Sequence, residues 1–180
     1  MKLIIGLGNP GAIYQKTRHN AGFLCLDFLR TTFGFEPFSL DKKMSTLITD
    51  GIQEKETVLL VKPETFMNHS GIAVSALLQY YKLTPADIAI IHDDVDIAPG
   101  TYKTTLSSRS AGHNGVQDII ERIGTQDFFR IRLGVGRPIE VPDVCVPTHT
   151  FVLQNFSVEE LTVLTGLFPK IKEEIVQWLR

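Results

Sequence analysis

The sequence predicts one α/β domain over residues 1–180, built on a mixed, twisted sheet with helices on both faces. Three observations predict it. Short apolar runs of strand length alternate with amphipathic stretches of helical period along the chain. A length of 180 residues with 43% hydrophobic composition suffices for one well-buried core and is short for two. No Ser/Gly/Pro-rich linker, low-complexity segment or internal repeat divides it.

Taken in order, Leu3-Ile4-Ile5 opens a strand over residues 3–7. After Asn20, the side chains Phe23, Leu26, Leu29 and Phe33 recur at helical spacing and predict the first helix. A fainter strand pattern covers residues 46–49 and a clear one 57–61. The second helix runs from 72 to 81, with Ser70 placed to cap it. Strands follow at 88–92 and, more faintly, 101–106; a third helix starts near His113, and a strand covers 129–135. Residues 151–153 carry another faint strand pattern. Ser157-Val158-Glu159-Glu160 is a capping box that opens a tail helix, which Pro169 breaks or kinks before residues 170–180.

Composition excludes several classes. The start of the chain lacks the basic region, apolar core and cleavage site of a leader, and no apolar run is long enough to cross a bilayer, so a cytoplasmic protein is expected. A monomer is the default. Cys25 lies in an apolar helical pattern and Cys145 in a Pro-rich loop; two reduced thiols are expected, and neither has metal-ligand spacing. The net charge of −2 argues against a large basic face. Within residues 101–137, however, Lys103, Arg109, Arg122, Arg130, Arg132 and Arg137 face only three acids, which leaves room for a local basic patch.

In open α/β sheets, sites gather in the loops beyond the carboxyl ends of the strands. Four polar loops fit that position: residues 9–20, 62–68, 92–96 and 107–115. In the first, Gly6, Gly8 and Gly11 satisfy the spacing of a dinucleotide-binding loop, but Pro10 stands where a helix should begin to donate N–H groups. His19 follows this loop, and a histidine can take a proton from water near neutral pH if a carboxylate fixes its tautomer. Asp93, directly after the strand at 88–92, is the partner expected for it. On spacing alone, a general base and a simple cap of the following helix remain two open readings of His19.

The string "HDDVD" lacks the glycine and distal glutamate of an EF-hand loop, and no zinc-type histidine spacing occurs, so no metal or cofactor is called for. Asp94 and Asp96 are expected in the turn, and His92 as a hydrogen-bonded strand end. His69 and His149 read as ordinary loop residues. Ser107, Ser108 and Ser110 do not form a nucleophile elbow, which leaves a directly activated water as the nucleophile. Asn9, Asn68 and Asn114 are neutral donors suited to an oxyanion or peptide-backbone pocket, although each alone is also a common turn residue.

Read together, the loops resemble the bacterial-type peptidyl-tRNA hydrolases. The matching strings are "GLGNPGAIY" with "TRHNAG", "KPETFMNHSG", "HDDVD" with "PG", "SAGHNGVQDII", "FFRIRLGVGRP" and "FVLQNF", in the family's order up to residue 156. The resemblance implies a phosphorylase/hydrolase-like α/β fold. It also implies hydrolysis of the ester joining a peptide to the terminal ribose of tRNA, with peptidyl-tRNA as partner and no covalent intermediate. By resemblance, His19 is the general base, Asp93 orients it, and Asn9 distinguishes a blocked amino group from a free one. Asn68 and Asn114 then bind substrate near the ester, Tyr14 and Phe66 belong to the tRNA-end pocket, Met67 packs beneath the peptide, and Asn20 lies beside the base. Lys103 and Arg132 are expected among the tRNA phosphate contacts, with Arg109 and Arg130 nearby; His113 is expected to be structural. The family's second lysine after Lys103 is replaced here by Thr105, and Arg109 is the candidate substitute. A non-hydrolysing RNA-binding relative and a nucleotide-dependent enzyme are the competing readings.

Overall fold

Seven strands form a single sheet in the computed structural model, which describes residues 1–138 and 146–180. They are β1 (Lys2–Gly6), β2 (Ser39–Asp41), β3 (Thr46–Gln53), β4 (Glu56–Pro63), β5 (Ile88–Asp94), β6 (Tyr102–Leu106) and β7 (Phe129–Gly134). The order across the sheet is β2-β3-β4-β1-β5-β7-β6. β4, β1, β5 and β7 are mutually parallel, and β2, β3 and β6 join antiparallel at the two sides, so the sheet is mixed as expected. Parallel strands covered on both faces need continuous apolar runs. β1 and β5 supply them: Leu3, Ile4, Ile5, Ile88, Ala89, Ile90 and Ile91 are fully buried.

The helices are α1 (Ala21–Phe33), α2 (Ser70–Tyr81), α3 (Asn114–Ile123), α4 (Thr148–Val152), α5 (Val158–Thr165) and α6 (Phe168–Leu179). Alternate strand residues face opposite sides, so the chain builds two cores. Ile4, Leu60, Ile91, Ile131 and Leu133 pack under α1, α5 and α6, where Leu26, Leu29, Leu164, Phe168 and Ile171 complete that layer. Leu3, Ile5, Val61, Ile88 and Ile90 pack under α2 and α3 through Val74, Leu77, Val116 and Ile119. Each such side chain, once buried, contributes about 1.5–3 kcal/mol of transfer free energy.

Several expectations need correction. Residues 151–153 are not a strand: they fall at the end of α4, where Phe151 and Val152 are buried. The β-like triplet is overridden by Pro147, which starts the helix, and by the docking of Phe151 against Arg18. Ser70 does not cap α2; the 3₁₀ turn Met67–His69 runs straight into the helix, and the Ser70 hydroxyl donates to the Met67 carbonyl at 2.8 Å. The capping box at Ser157 is present, and Pro169 sits in the first turn of α6. Cys25 is a free, buried thiol, whereas Cys145 lies outside the described residues.

Candidate active site

The carboxyl ends of β1, β4 and β5 lie side by side, and the chain leaving each contributes to one cleft of about 730 Å³. Leaving β1, the Leu7 N–H still donates to the Ile91 carbonyl at 2.9 Å, which ties the first loop to the end of β5. Gly6 and Gly8 do not act by tolerating a left-handed turn; of the three opening glycines only Gly11 has positive φ, at 104°. Gly6 instead lets α1 approach, since a Cβ there would lie 2.5 Å from the Gly22 carbonyl oxygen. That close approach brings the start of α1, and with it His19, next to β5.

Asn9 is held by three bonds. Its N–H donates to Asn20 Oδ1 at 2.9 Å, and its carbonyl accepts from Asn20 Nδ2 at 3.0 Å. Its own Oδ1 accepts from the Met67 N–H at 2.8 Å. With the amide oxygen engaged, the Asn9 Nδ2 donor is the end left for the cleft, which Asn9 lines.

The floor of the cleft is an imidazole on a carboxylate. His19 Nδ1 donates to Asp93 Oδ1 at 2.9 Å, with the ring 11% exposed and the carboxylate 2%. Burial alone would lower the His19 pKa, but the Asp93 charge and hydrogen bond more than offset it and leave the value raised. Burial likewise pushes Asp93 up, and its two imidazole partners overcome that and hold it well below the usual carboxylate range. The second partner is His113, whose Nε2 donates to the same Oδ1 at 3.0 Å. His113 Nδ1 accepts from the Val116 N–H at 3.3 Å as the cap of α3, so its neutral tautomer is fixed by the helix it starts.

Two imidazole nitrogens and a carboxylate oxygen therefore lie within 4.8 Å of one another, a donor set chemically able to hold a transition metal. Here both ring N–H groups are directed at Asp93, so the three groups satisfy one another. Asp94 and Asp96 are engaged elsewhere: Asp94 Oδ2 accepts from Arg132 Nε at 2.7 Å and Asp96 Oδ1 from Arg137 Nε at 3.0 Å.

Around this floor, Tyr14 and Phe66 meet edge to face at 6.5 Å, and His149 and Val152 of α4, with Leu153 just after it, form a further wall. Met67 is buried at the base, while Asn68 and Asn114 are exposed at its sides. A family model described as peptidyl-tRNA hydrolase matches residues 3–180. The chain belongs to the peptidyl-tRNA hydrolase family. Its relatives include a peptidyl-tRNA hydrolase of Desulfitobacterium hafniense, 41% identical over 182 residues with 100% of this chain and 94% of the relative covered. One of Brevibacillus brevis is 39% identical over 180 residues, covering 100% and 92%. The crystal structure of peptidyl-tRNA hydrolase from Acinetobacter baumannii superposes with a TM-score of 0.88 at 33% identity, covering 98% of this chain and 87% of that one. Peptidyl-tRNA hydrolases are ester hydrolases that act on peptidyl-tRNA and release its tRNA.

Against the peptidyl-tRNA hydrolase expectations, the structure brings Asn9, Tyr14, His19, Phe66, Met67, Asn68, Asp93 and Asn114 to one cleft. It does not bring Asn20 there. Asn20 is 2% exposed, with both ends of its amide engaged by the Asn9 backbone, so it holds Asn9 in place. Lys103 and Arg132 lie outside the cleft, opposite each other on β6 and β7, where Lys103 is exposed and Arg132 is ion-paired with Asp94. Arg130, two residues away on the same face of β7, is fully buried and donates to the carbonyls of Ser108 and Arg109. His92 is only half satisfied: Nδ1 donates to the Asp93 carbonyl at 2.7 Å, and Nε2 has no partner among the described residues. Sequence reasoning missed His113 as a member of the site, although its place beside Asn114 was a signal. It also missed the α4 wall, because that segment carries a strand pattern.

Proposed function

We propose that the whole chain, residues 1–180, acts as one domain that hydrolyses the ester between a peptide and the terminal ribose of tRNA. A water molecule at His19 Nε2 gives up a proton as its oxygen bonds to the ester carbonyl carbon. Asp93 holds the Nδ1 proton and stabilises the imidazolium that forms. The Asn9 Nδ2 group donates to the developing oxyanion or to the blocked amino end beside it, with Asn114 and Asn68 as further amide donors at the sides. The tetrahedral carbon then expels the ribose oxygen, which takes the proton from His19; the peptide acid so formed loses its remaining proton to solvent, and peptide carboxylate and tRNA leave. No protein nucleophile is used. An ester is activated enough that one base, one orienting carboxylate and a few fixed donors suffice. Tyr14 and Phe66 offer flat apolar faces for the terminal adenine, and Met67 packs beneath the peptide.

One observation carries this reading: His19 Nδ1 stands 2.9 Å from Asp93 Oδ1 at the base of an open cleft. No helix among the described residues is long and apolar enough to cross a membrane. The reading is completed by a cytoplasmic monomer whose partner is peptidyl-tRNA, with Lys103 and, secondarily, Arg132 supplying charge for the tRNA backbone. The test is hydrolysis of N-acetylated against free aminoacyl-tRNA. Selectivity for the blocked form is expected, and His19→Ala should bind as wild type while losing about 10²–10⁴-fold in kcat. Full turnover by that variant would remove His19 from the mechanism.

A further inference from the structure

The residue before His19 is a buried cation with an unusual set of partners. Arg18 is 7% exposed. Its Nη2 donates to both oxygens of Glu160, at 2.7 and 2.8 Å. Its Nη1 lies 3.3–3.4 Å from the carbonyls of Phe151, Gln154 and Asn155, and the guanidinium carbon lies over the Phe151 ring at 4.2 Å. The backbone repeats the link, since the Arg18 N–H donates to the Gln154 carbonyl at 3.1 Å and the Phe156 N–H to the Lys16 carbonyl at 2.9 Å. Glu160 also accepts from the Ser157 N–H at 2.7 Å, so one carboxylate joins the start of α5 to Arg18.

The carbonyl partners lie in and just after α4, whose His149 and Val152, with Leu153, line the cleft, while Glu160 lies in α5. α4 has only five residues and no side-chain cap at its start, too short to hold itself by helical bonding. The Phe151 carbonyl in its last turn, and those of Gln154 and Asn155 just beyond it, face a full positive charge, the favourable sign for that end of a helix. The other side of the same turn presents Val152 and Leu153 to the cleft. A lysine could not replace this grip, because only a planar fork reaches two carboxylate oxygens and the carbonyls at once while lying on an aromatic ring.

We propose that Arg18 is a positioning residue for substrate binding: it fixes the α4 wall at a set distance from His19, and so governs how tightly the cleft closes on the acyl end of the substrate. The proposal rests on the hydrolase reading of the His19 site. His19 is oriented separately, by Asp93, so loosening the wall acts on binding and leaves the proton transfer intact.

The test is steady-state hydrolysis of N-acetyl-aminoacyl-tRNA by wild type, Arg18→Lys and Glu160→Gln, with a pH profile and a melting curve for each. Arg18→Lys is expected to raise KM about tenfold with kcat and the acidic limb of the profile unchanged. Glu160→Gln keeps an oxygen for the Ser157 N–H but loses the ion pair, and should raise KM by a smaller factor. A kcat loss at constant KM, or a lowered Tm with both constants unchanged, would overturn the proposal; Glu160→Gln decides the matter if Arg18→Lys does not fold. A wild type without turnover would fail the hydrolase reading alone, and affinity for an amide-linked peptidyl-tRNA analogue would then give the same comparison among the variants.

Discussion

Replacing Asp93 by Asn removes one charge from the floor of the cleft and little else. Asp93 Oδ1 accepts from both His19 and His113, and an asparagine oxygen can occupy the same point and accept from both. Orientation is thus kept while the countercharge for the imidazolium is lost. With the charge centres about 4 Å apart and an effective dielectric near 20, that countercharge amounts to about 4 kcal/mol, or roughly 10³-fold in rate if fully expressed in the transition state.

The pH dependence has a defined sign. Burial lowers the His19 pKa, and Asp93 raises it past its ordinary value. Asp93→Asn leaves burial unopposed, so the acidic limb of kcat/KM, which reports protonation of the free enzyme's base, should move to lower pH while the plateau falls. Stability follows the same logic. The raised His19 contributes stability that is complete below its unfolded value and lost as pH rises through the folded one. The depressed Asp93 contributes stability present above the ordinary carboxylate range and lost as pH falls toward its folded value. Initial rates on N-acetyl-aminoacyl-tRNA from about pH 5 to about pH 9 locate the limb, and melting curves from about pH 2 to about pH 9 read the two stability contributions. A variant within about threefold of wild type and with an unmoved limb would show that the Asp93 charge has no part in the mechanism.

Asn9→Asp keeps an oxygen for the Met67 N–H but turns the cleft-facing donor into a second acceptor; kcat should fall by about 10²-fold or more, checked on the same ester. Gly22→Ala would drive a methyl group into the Ile91 carbonyl and the Leu7 backbone where α1 crosses β1 and β5, costing about 3 kcal/mol and lowering Tm by about 6–12 °C in a thermal melt. Lys103→Ala should leave kcat unchanged and flatten the dependence of tRNA affinity on log salt by about 0.7–0.9, one phosphate contact; an unaltered slope would exclude Lys103 from the docking face.

Much of the fold was legible because its strongest signals are local. The apolar runs of β1, β4, β5 and β7 and the helical spacing of α1 survive folding with bounds shifted by a residue or two. β2 was missed because three residues, Ser39–Asp41, carry no period and exist as a strand only by pairing with Thr46–Ile48. α4 was misassigned because the apolar triplet Phe151-Val152-Leu153 favours a strand locally, while Pro147 at its start and the docking of Phe151 on Arg18, more than 130 positions earlier, go with a helix. The pairing of His19 with Asp93 was legible since one closes the polar loop after β1 and the other stands at the carboxyl end of β5, the strand beside it. Asn20 was not, because an asparagine that pins a neighbouring backbone and one that meets a ligand look alike in a string of letters.

The charge pattern shows the same limit more sharply. Six cations in residues 101–137 suggested a basic patch, yet a count of charges does not say which remain available. Arg122 pairs with Asp118, Arg132 with Asp94 and Arg137 with Asp96. Arg130 is buried, and desolvation pulls its pKa down to about 10. Among the described residues, the two side chains of that set which stay exposed outside these pairs are Lys103 in β6 and Arg109 in the loop that follows it. Attraction to a phosphate backbone scales with the charges that can reach it, so the net +3 of the segment overstates what its side chains offer.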